Sequence, residues 1–290
     1  MTIFQSWRRL RAKPLFSLIL FLITACAVFF IVYPLLRVIL FPSAGDYGSF
    51  FQNIRWLRAL RNSMVLTLAS MASCTLVAFV FAYALQRTQV PFKKFFKFIT
   101  LLPVVSPPFI IALSYILLFG AQGLVTRKLL GLNISIYGGW GLWVVQTVSF
   151  FPYAYVVISN VMGNISDNLE YAAMNLGASP RRASQDIFFP LCRPGVAGGA
   201  LMAAISVLAD FGNPSMIGGD LILLPIEAYM QMVGWYDVPS AAVLSTALLI
   251  PTLLLFLTSR YWLGKGSYTM LSGKETTLPA LSPKPFVSRM

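Results

Sequence analysis

The sequence has no histidine, three cysteines, and nine Asp and Glu against 22 Lys and Arg. Each shortage removes a class of chemistry. Without histidine there is no imidazole general base and no His-ligated metal. Cys26 and Cys74 fall in apolar runs and Cys192 lies beside Pro190, so neither a disulfide framework nor a Cys-based metal site is expected. Charged residues make up 11% of the chain, where a soluble domain carries about 25%. No Gly-x-x-x-x-Gly-Lys-Ser/Thr stretch is present to cradle a nucleotide, so the chain is not expected to hydrolyse ATP itself. The short alternating segments of a membrane barrel are also missing.

Apolar sequence takes their place. Hydrophobic residues make up 58% of the 290 positions, and mean hydropathy is +0.75. Runs beyond about 18 apolar residues define membrane helices. Six are marked: Leu15–Leu40, Asn62–Leu85, Phe98–Phe119, Gly141–Met162, Val196–Ile217 and Pro239–Arg260. The expected class is an all-α integral membrane protein with six transmembrane helices. Residues 1–14 form a basic N-terminal segment, 15–260 the helical domain, and 261–290 a polar, Pro-rich tail or linker. The opening "RRLRAK" and the "ITAC" at Ile23–Cys26 imitate a signal peptide. The apolar run continues to Leu40, however, and reads as an uncleaved first span.

A net charge of +13 would suggest nucleic acid in a soluble protein. Here the cations sit in short loops between spans, where topology and anionic lipid account for them. With the N-terminus inside, only Arg37, Arg55, Arg58, Arg61, Arg127 and Lys128 lie outside or at outer helix ends. The remainder cluster inside, which places both termini in the cytoplasm. Trp56, Trp140 and Trp235 fall at the outer boundaries, where amphipathic rings settle.

Several spans carry helix breakers or small residues. The third contains Pro103, Pro107 and Pro108, either a packing kink or the wall of a path. The fifth opens "VAGGALMAA", which lets a neighbouring backbone approach closely. Asp210 is placed within the fifth span, as part of a path or gate or as a partner for backbone freed near Gly212 and Pro214. Asp220, Glu227 and Asp237 lie in the last outer segment. There they either contact an external partner or are simply solvated.

The loop from Gly163 to Gly195 is the longest expected inside. Asp167 reads as an N-cap with Glu170 three residues on, and Leu169, Ala172, Ala173 and Leu176 share a helix face. Gly177 stands where a C′ glycine belongs. Ser179 and Pro180 then start a second helix, expected to stop before Pro190. Such a two-helix elbow either packs on its own bundle or docks into a groove on a partner.

This elbow resembles the "EAA" loop of ABC-importer permeases: Ala172, Ala173, Gly177, Ile187 and Pro190 fall at the motif's offsets. Tyr171 stands where the motif has Glu, with Glu170 one residue early, and Phe189 replaces Leu. "LADFGNPSMIGGD" (Leu208–Asp220), "GWYDVPSAAVLS" and "RYWLGKGSYTMLSGK" resemble the ferric-iron branch of the family, in which two six-helix halves are often fused. The resemblance implies a bacterial inner-membrane permease subunit. Its partners would be two cytoplasmic ATPase subunits, a second permease half and an external solute-binding protein. ATP and Mg would be held by the ATPase, and no cofactor by this chain. It makes Glu170, Tyr171, Ala172, Ala173, Gly177, Ala178, Ser179, Ile187 and Pro190 the ATPase-coupling residues. Ferric iron is the expected solute, with phosphonate, polyamine or another small solute as alternatives. An ion-gradient-driven transporter half would need more buried ionisable groups than Asp210. A non-transporting membrane scaffold leaves the elbow unexplained.

Overall fold

The computed structural model describes residues 14–132 and 135–265. The expected basic N-terminal segment and most of the expected tail lie outside the described residues. The regular structure of the described residues is all helical, and among them six helical stretches are apolar and long enough to cross a bilayer: Ser17–Leu40, Ile54–Arg87, Phe109–Leu129, Gly139–Gly163, Pro180–Leu208 and Val238–Tyr261.

The first span comprises α1 (Pro14–Ala27), a π-helical stretch Val28–Val32, and α2 (Tyr33–Leu40). A short α3 (Ala44–Gln52) follows, started by a reciprocal cap between Ser43 and Asp46. The Ser43 backbone N–H and hydroxyl both donate to the Asp46 carboxylate and hold it below the usual carboxylate range. The second span, α4 (Ile54–Arg87), starts eight residues before the expected Asn62, because Asn53 caps the amides of Arg55 and Trp56. Polar residues therefore extend this helix beyond its apolar run.

Two spans depart from expectation. The single third helix expected over Phe98–Phe119 is two helices, α5 (Lys93–Val105) and α6 (Pro108–Phe119), broken at Ser106–Pro107. Pro107 and Pro108 offer no N–H to the carbonyls four residues back, whereas Pro103 is accommodated inside α5. The fourth span, α7 (Gly139–Gly163), matches its expected position. The elbow helix α8 (Asp167–Asn175) leads to α9 (Pro180–Ala183), a π-helical stretch Ser184–Phe188, and α10 (Phe189–Leu208). The second elbow helix does not stop before Pro190. It continues without interruption into the fifth span, from Pro180 to Leu208. The π-helical turn, in which the Phe189 amide bonds to Ser184 O, widens the helix where Pro190 removes a donor. The fifth span also ends early, at Leu208, and α11 (Gly212–Ile217) and α12 (Leu224–Tyr229) fold at that end of the bundle before α13 (Val238–Lys265) forms the sixth.

The core is the contact of α4, α7 and α10. At the elbow end Ala78, Ala82, Leu85, Ile158, Met162, Phe188 and Cys192 pack together. At the far end Leu66, Ala112, Leu142, Val145 and Ile217 form a second cluster. Small residues set the spacing. A Cβ on Gly199 would lie 2.8 Å from Ile158 Cγ1 and 3.0 Å from the Ala154 carbonyl oxygen. The stripe of small residues in the fifth span thus serves close helix contact, as its sequence suggests. Hydrogen bonds between spans add to it, including Ser73–Thr147 at 2.7 Å and Gln86 Nε2 to Ser159 Oγ at 2.9 Å. The first span stands apart: among the described residues none of its apolar window is buried, and it meets the bundle where α2 packs on α13.

Gly199→Val drives a branched side chain into the α7 backbone. Overpacking of this kind costs about 1–3 kcal/mol, so the detergent-solubilised Tm falls by several degrees. Gly48→Ala, inside α3 and with nothing within 4 Å, does not lower Tm. Thermal unfolding of the two variants checks this.

Candidate functional site

The elbow is built by caps at both bends. Ser166, not Asp167, is the N-cap of α8: its hydroxyl accepts from the Asn168 amide, while Asp167 occupies the first helical position. The expected Asp-x-x-Glu box is therefore not formed, and both carboxylates turn toward Arg87. At the other end Gly177 adopts φ +93°. The Gly177 amide bonds to Met174 O and the Ala178 amide to Ala173 O, each at 3.0 Å, the paired pattern of a left-handed helix stop. Ser179 then caps the next helix by accepting from the Arg182 amide at 3.3 Å, with Pro180 at the first position.

The carboxylates of Asp167 and Glu170 converge on Arg87, the last residue of α4. Arg87 Nη1 donates to Asp167 Oδ1 in a very short contact. Nη2 lies 2.7 Å from Glu170 Oε2, close in charge although not aligned as a hydrogen bond. The guanidinium also sits 4.0 Å over the Phe188 ring. The Arg87 side chain is 12% exposed. One largely enclosed cation thus ties the second span to both limbs of the elbow. Sequence reasoning counted Arg87 only as a topological charge. The available signal was the scarcity of acids: Asp167 and Glu170 lie three residues apart in a chain with nine.

With Glu170 turned inward, the opposite face of α8 is bare. Leu176 is 90% exposed, and Leu169 and Tyr171 are exposed as well. Ala172, Gly177 and Ser179 are exposed, while Ala173 and Ala178 are half-buried. Ile187 and Pro190 are half-buried where the elbow enters the fifth span. The nine residues singled out in the elbow thus divide between an apolar tip and its root.

Asp210 lies beyond the end of α10 rather than within a helix. It is buried and accepts from the Asn213 amide at 3.1 Å, Asn213 Nδ2 at 2.9 Å and Gln146 Nε2 at 3.0 Å. Gln146 in turn accepts from Ser70 at 3.2 Å, so one polar chain joins the second, fourth and fifth spans. Asp210 caps the first turn of α11, and the carboxylate is occupied by protein donors. Glu227 is also buried rather than displayed: Arg55 grips it through Nε at 2.9 Å and Nη2 at 2.7 Å. Asp237 accepts from the Ser240 amide, and Asp220 is exposed. Among the described residues no group of His, Cys, Asp and Glu could hold a metal ion.

Residues 76–266 match the family model described as "Binding-protein-dependent transport system inner membrane component". The ferric transport system permease protein FbpB of Actinobacillus pleuropneumoniae is 33% identical over 85% of this chain and 38% of its own length. An FbpB protein of Haemophilus influenzae is 31% identical over 85% of this chain and 41% of its own. The chain spans about two fifths of the length of these curated relatives. In fold it is similar to a chain of a bacterial alginate ABC transporter, solved with an alginate pentasaccharide-bound periplasmic protein. The TM-score is 0.72 at 15% identity, covering 88% of this chain and 96% of that one.

Arg87→Ala leaves two carboxylates facing an apolar root and releases the elbow. Amide exchange across Asp167–Asn175 is expected to speed up at least about tenfold, equivalent to about 1.4 kcal/mol of local opening. The core amides of α7 should change less, as hydrogen-exchange mass spectrometry would show. Asp210→Asn turns an acceptor of three donors into a group that itself donates. An unmade buried hydrogen bond costs about 1–3 kcal/mol, and the variant's Tm falls accordingly.

Proposed function

The chain belongs to the family of binding-protein-dependent transport system inner membrane components, and we propose that it is a permease subunit of an ATP-driven importer, moving ferric iron delivered by an external binding protein. The observation that carries this reading is the elbow. Its apolar tip, with Leu176 almost fully exposed, is held at its root by Arg87 and runs as one helix into the fifth span.

An exposed apolar helix face of this kind suits a hydrophobic groove on a partner. In this reading a cytoplasmic ATPase supplies the groove and also holds ATP and Mg. Glu170, Tyr171, Ala172, Ala173, Gly177, Ala178, Ser179, Ile187 and Pro190 are the coupling residues, in two roles. Tyr171, Ala172 and Leu176 form the contact, with Gly177 and Ser179 setting the bend behind them. Glu170, Ile187 and Pro190 join that contact to the spans. When two ATPase subunits close on ATP, the elbow turns, and the fifth span turns with it because no break lies between them. A second permease half completes the path. The chain's share of the length of its ferric relatives suits one half of a fused pair.

The solute assignment rests on the ferric relatives and on chemistry that does not contradict it. Asp210 and Glu227, the buried carboxylates of the described residues, are engaged by protein donors, so solute choice falls to the binding protein. The test is reconstitution of the full-length permease with its ATPase and binding protein. Binding-protein-dependent uptake of radiolabelled ferric iron, absent without ATP, supports the reading. Uptake of another solute, with iron excluded, overturns the iron assignment. Leu176→Glu should reduce ATPase co-purification at least about tenfold while leaving Tm unchanged, because that residue is 90% exposed among the described residues. Undiminished co-purification removes the elbow from the interface.

A further inference from the structure

The break between α5 and α6 leaves a cleft of about 240 Å³, lined by Pro103, Val105, Ser106, Pro107, Ser149 and Tyr153 among others. Its depth follows from the fourth span. Ser149 lies about 15 Å from Gly139 and about 21 Å from Gly163 at 1.5 Å per residue, close to the middle of α7. The cleft is therefore well inside the hydrocarbon layer. Beneath Ser106, Leu101 packs on the elbow-end core.

Three observations meet there. Pro107 and Pro108 donate no hydrogen bond, so Pro103 and Val104 lose their usual helical donors. Ser149, 3% exposed, lines the cleft, and its buried hydroxyl has no hydrogen-bond partner among the described residues. The break nevertheless opens onto the surface of this chain: Val105 is 86% exposed and Pro107 is exposed. Irregular backbone at membrane depth is tolerated only where protein buries it or water reaches it. A lipid-facing position would leave these oxygens unsatisfied at a cost of several kcal/mol per group. The volume holds several waters at about 30 Å³ each.

We propose that this face, with the Ser106–Pro107 break in front and the Ser149 hydroxyl behind it, is a wall of the translocation path, and that its oxygens form a water-filled station favouring cationic solutes. The assignment rests on the import reading for its purpose, and on the cleft itself for its access to water. The donors are carbonyl, hydroxyl and phenol oxygens, and no cationic side chain lines the cleft. The freed carbonyls of Pro103 and Val104 can only accept, so they stabilise a cation or its hydration shell and disfavour an anion, and the hydroxyl oxygens can accept beside them. Being neutral, they hold a passing ion weakly enough to release it.

The test uses the full-length permease assembled with its partners in proteoliposomes, in a Cys26→Ser background because the other two cysteines are buried. Val105→Cys and Ser149→Cys are exposed to membrane-impermeant methanethiosulfonates carrying a trimethylammonium or a sulfonate group. Each rate is divided by that reagent's rate with a free thiol in water. The expected result is modification of both variants, with the cationic reagent favoured at least about fivefold. Val105 projects from the surface, so it decides the question even if Ser149→Cys does not assemble. Reaction only with lipophilic N-ethylmaleimide means the face meets lipid, and reaction with neither class means protein covers it. Either result overturns the proposal, as does equal or greater preference for the sulfonate. If the cationic reagent is favoured but ATP drives no uptake, the import reading fails while the water-filled cleft stands.

Discussion

The arrangement depends on one largely enclosed cation. Arg87 ends the second span, and its guanidinium engages Asp167, Glu170 and the face of Phe188. Those partners come from the elbow helix and from the helix that becomes the fifth span. An arginine this little exposed is stable only when its charge is matched, and two carboxylates match it. Without the cluster, α8 would hang from the bundle by a glycine turn and a serine cap. With it, the apolar tip is presented on a fixed root, and a force applied to the tip reaches the membrane-spanning helices.

The remainder of the bundle follows the same economy of polar groups. Where helices break at membrane depth, a side chain or a cavity takes up the freed backbone. Asp210 does so after α10, accepting from the Asn213 amide while Gln146 and Ser70 extend the chain of bonds to two other spans. The break after Val105 is different. There the Ser106 hydroxyl donates to the Leu102 carbonyl at 3.2 Å, but the Pro103 and Val104 carbonyls have lost their helical donors, and the Ser149 hydroxyl is without a partner among the described residues. One break is sealed by protein and the other opens into a cleft. That difference separates a structural joint from a wall of the path. Close helix contact through Gly195 and Gly199 holds the two in register, since a Cβ at either would collide with the fourth span.

Much of this was legible in the sequence. Apolar run length located the fourth span within two residues at its start and one at its end. The turn chemistry of Gly177, Ser179 and Pro180 placed the bend between α8 and α9, because those residues act through local backbone geometry, while the start of α8 was expected one residue late, at Asp167 rather than Ser166. Three features were not legible. The start of α4 is polar, so hydropathy could not see it, and Asn53 alone marked it. Pro190 looked like a stop, yet the π-helical turn before it absorbs the missing donor, a register effect with no simple sequence sign. Asp210 looked intramembrane because apolar residues flank it on both sides. Its bond to the Asn213 amide is local, but its other partner, Gln146, lies 64 residues away. The partners of Arg87 and Glu227 were hidden for the same reason: long-range charge pairing leaves no periodic trace.

The central claim is that the elbow and the fifth span move as one body. Spin labels at Gln185, in the exposed flank of the elbow, and at Met202, exposed on α10, stand about 25 Å apart along one helix at 1.5 Å per residue. Pulsed electron–electron distance measurement on the assembled transporter, with and without trapped ATP, tests the claim. A distance distribution that stays fixed while the transporter changes state is the predicted result. A shift of several ångströms, or a broad second population, would mean that the helix hinges at Pro190 or Pro194 and that the elbow moves without carrying the span.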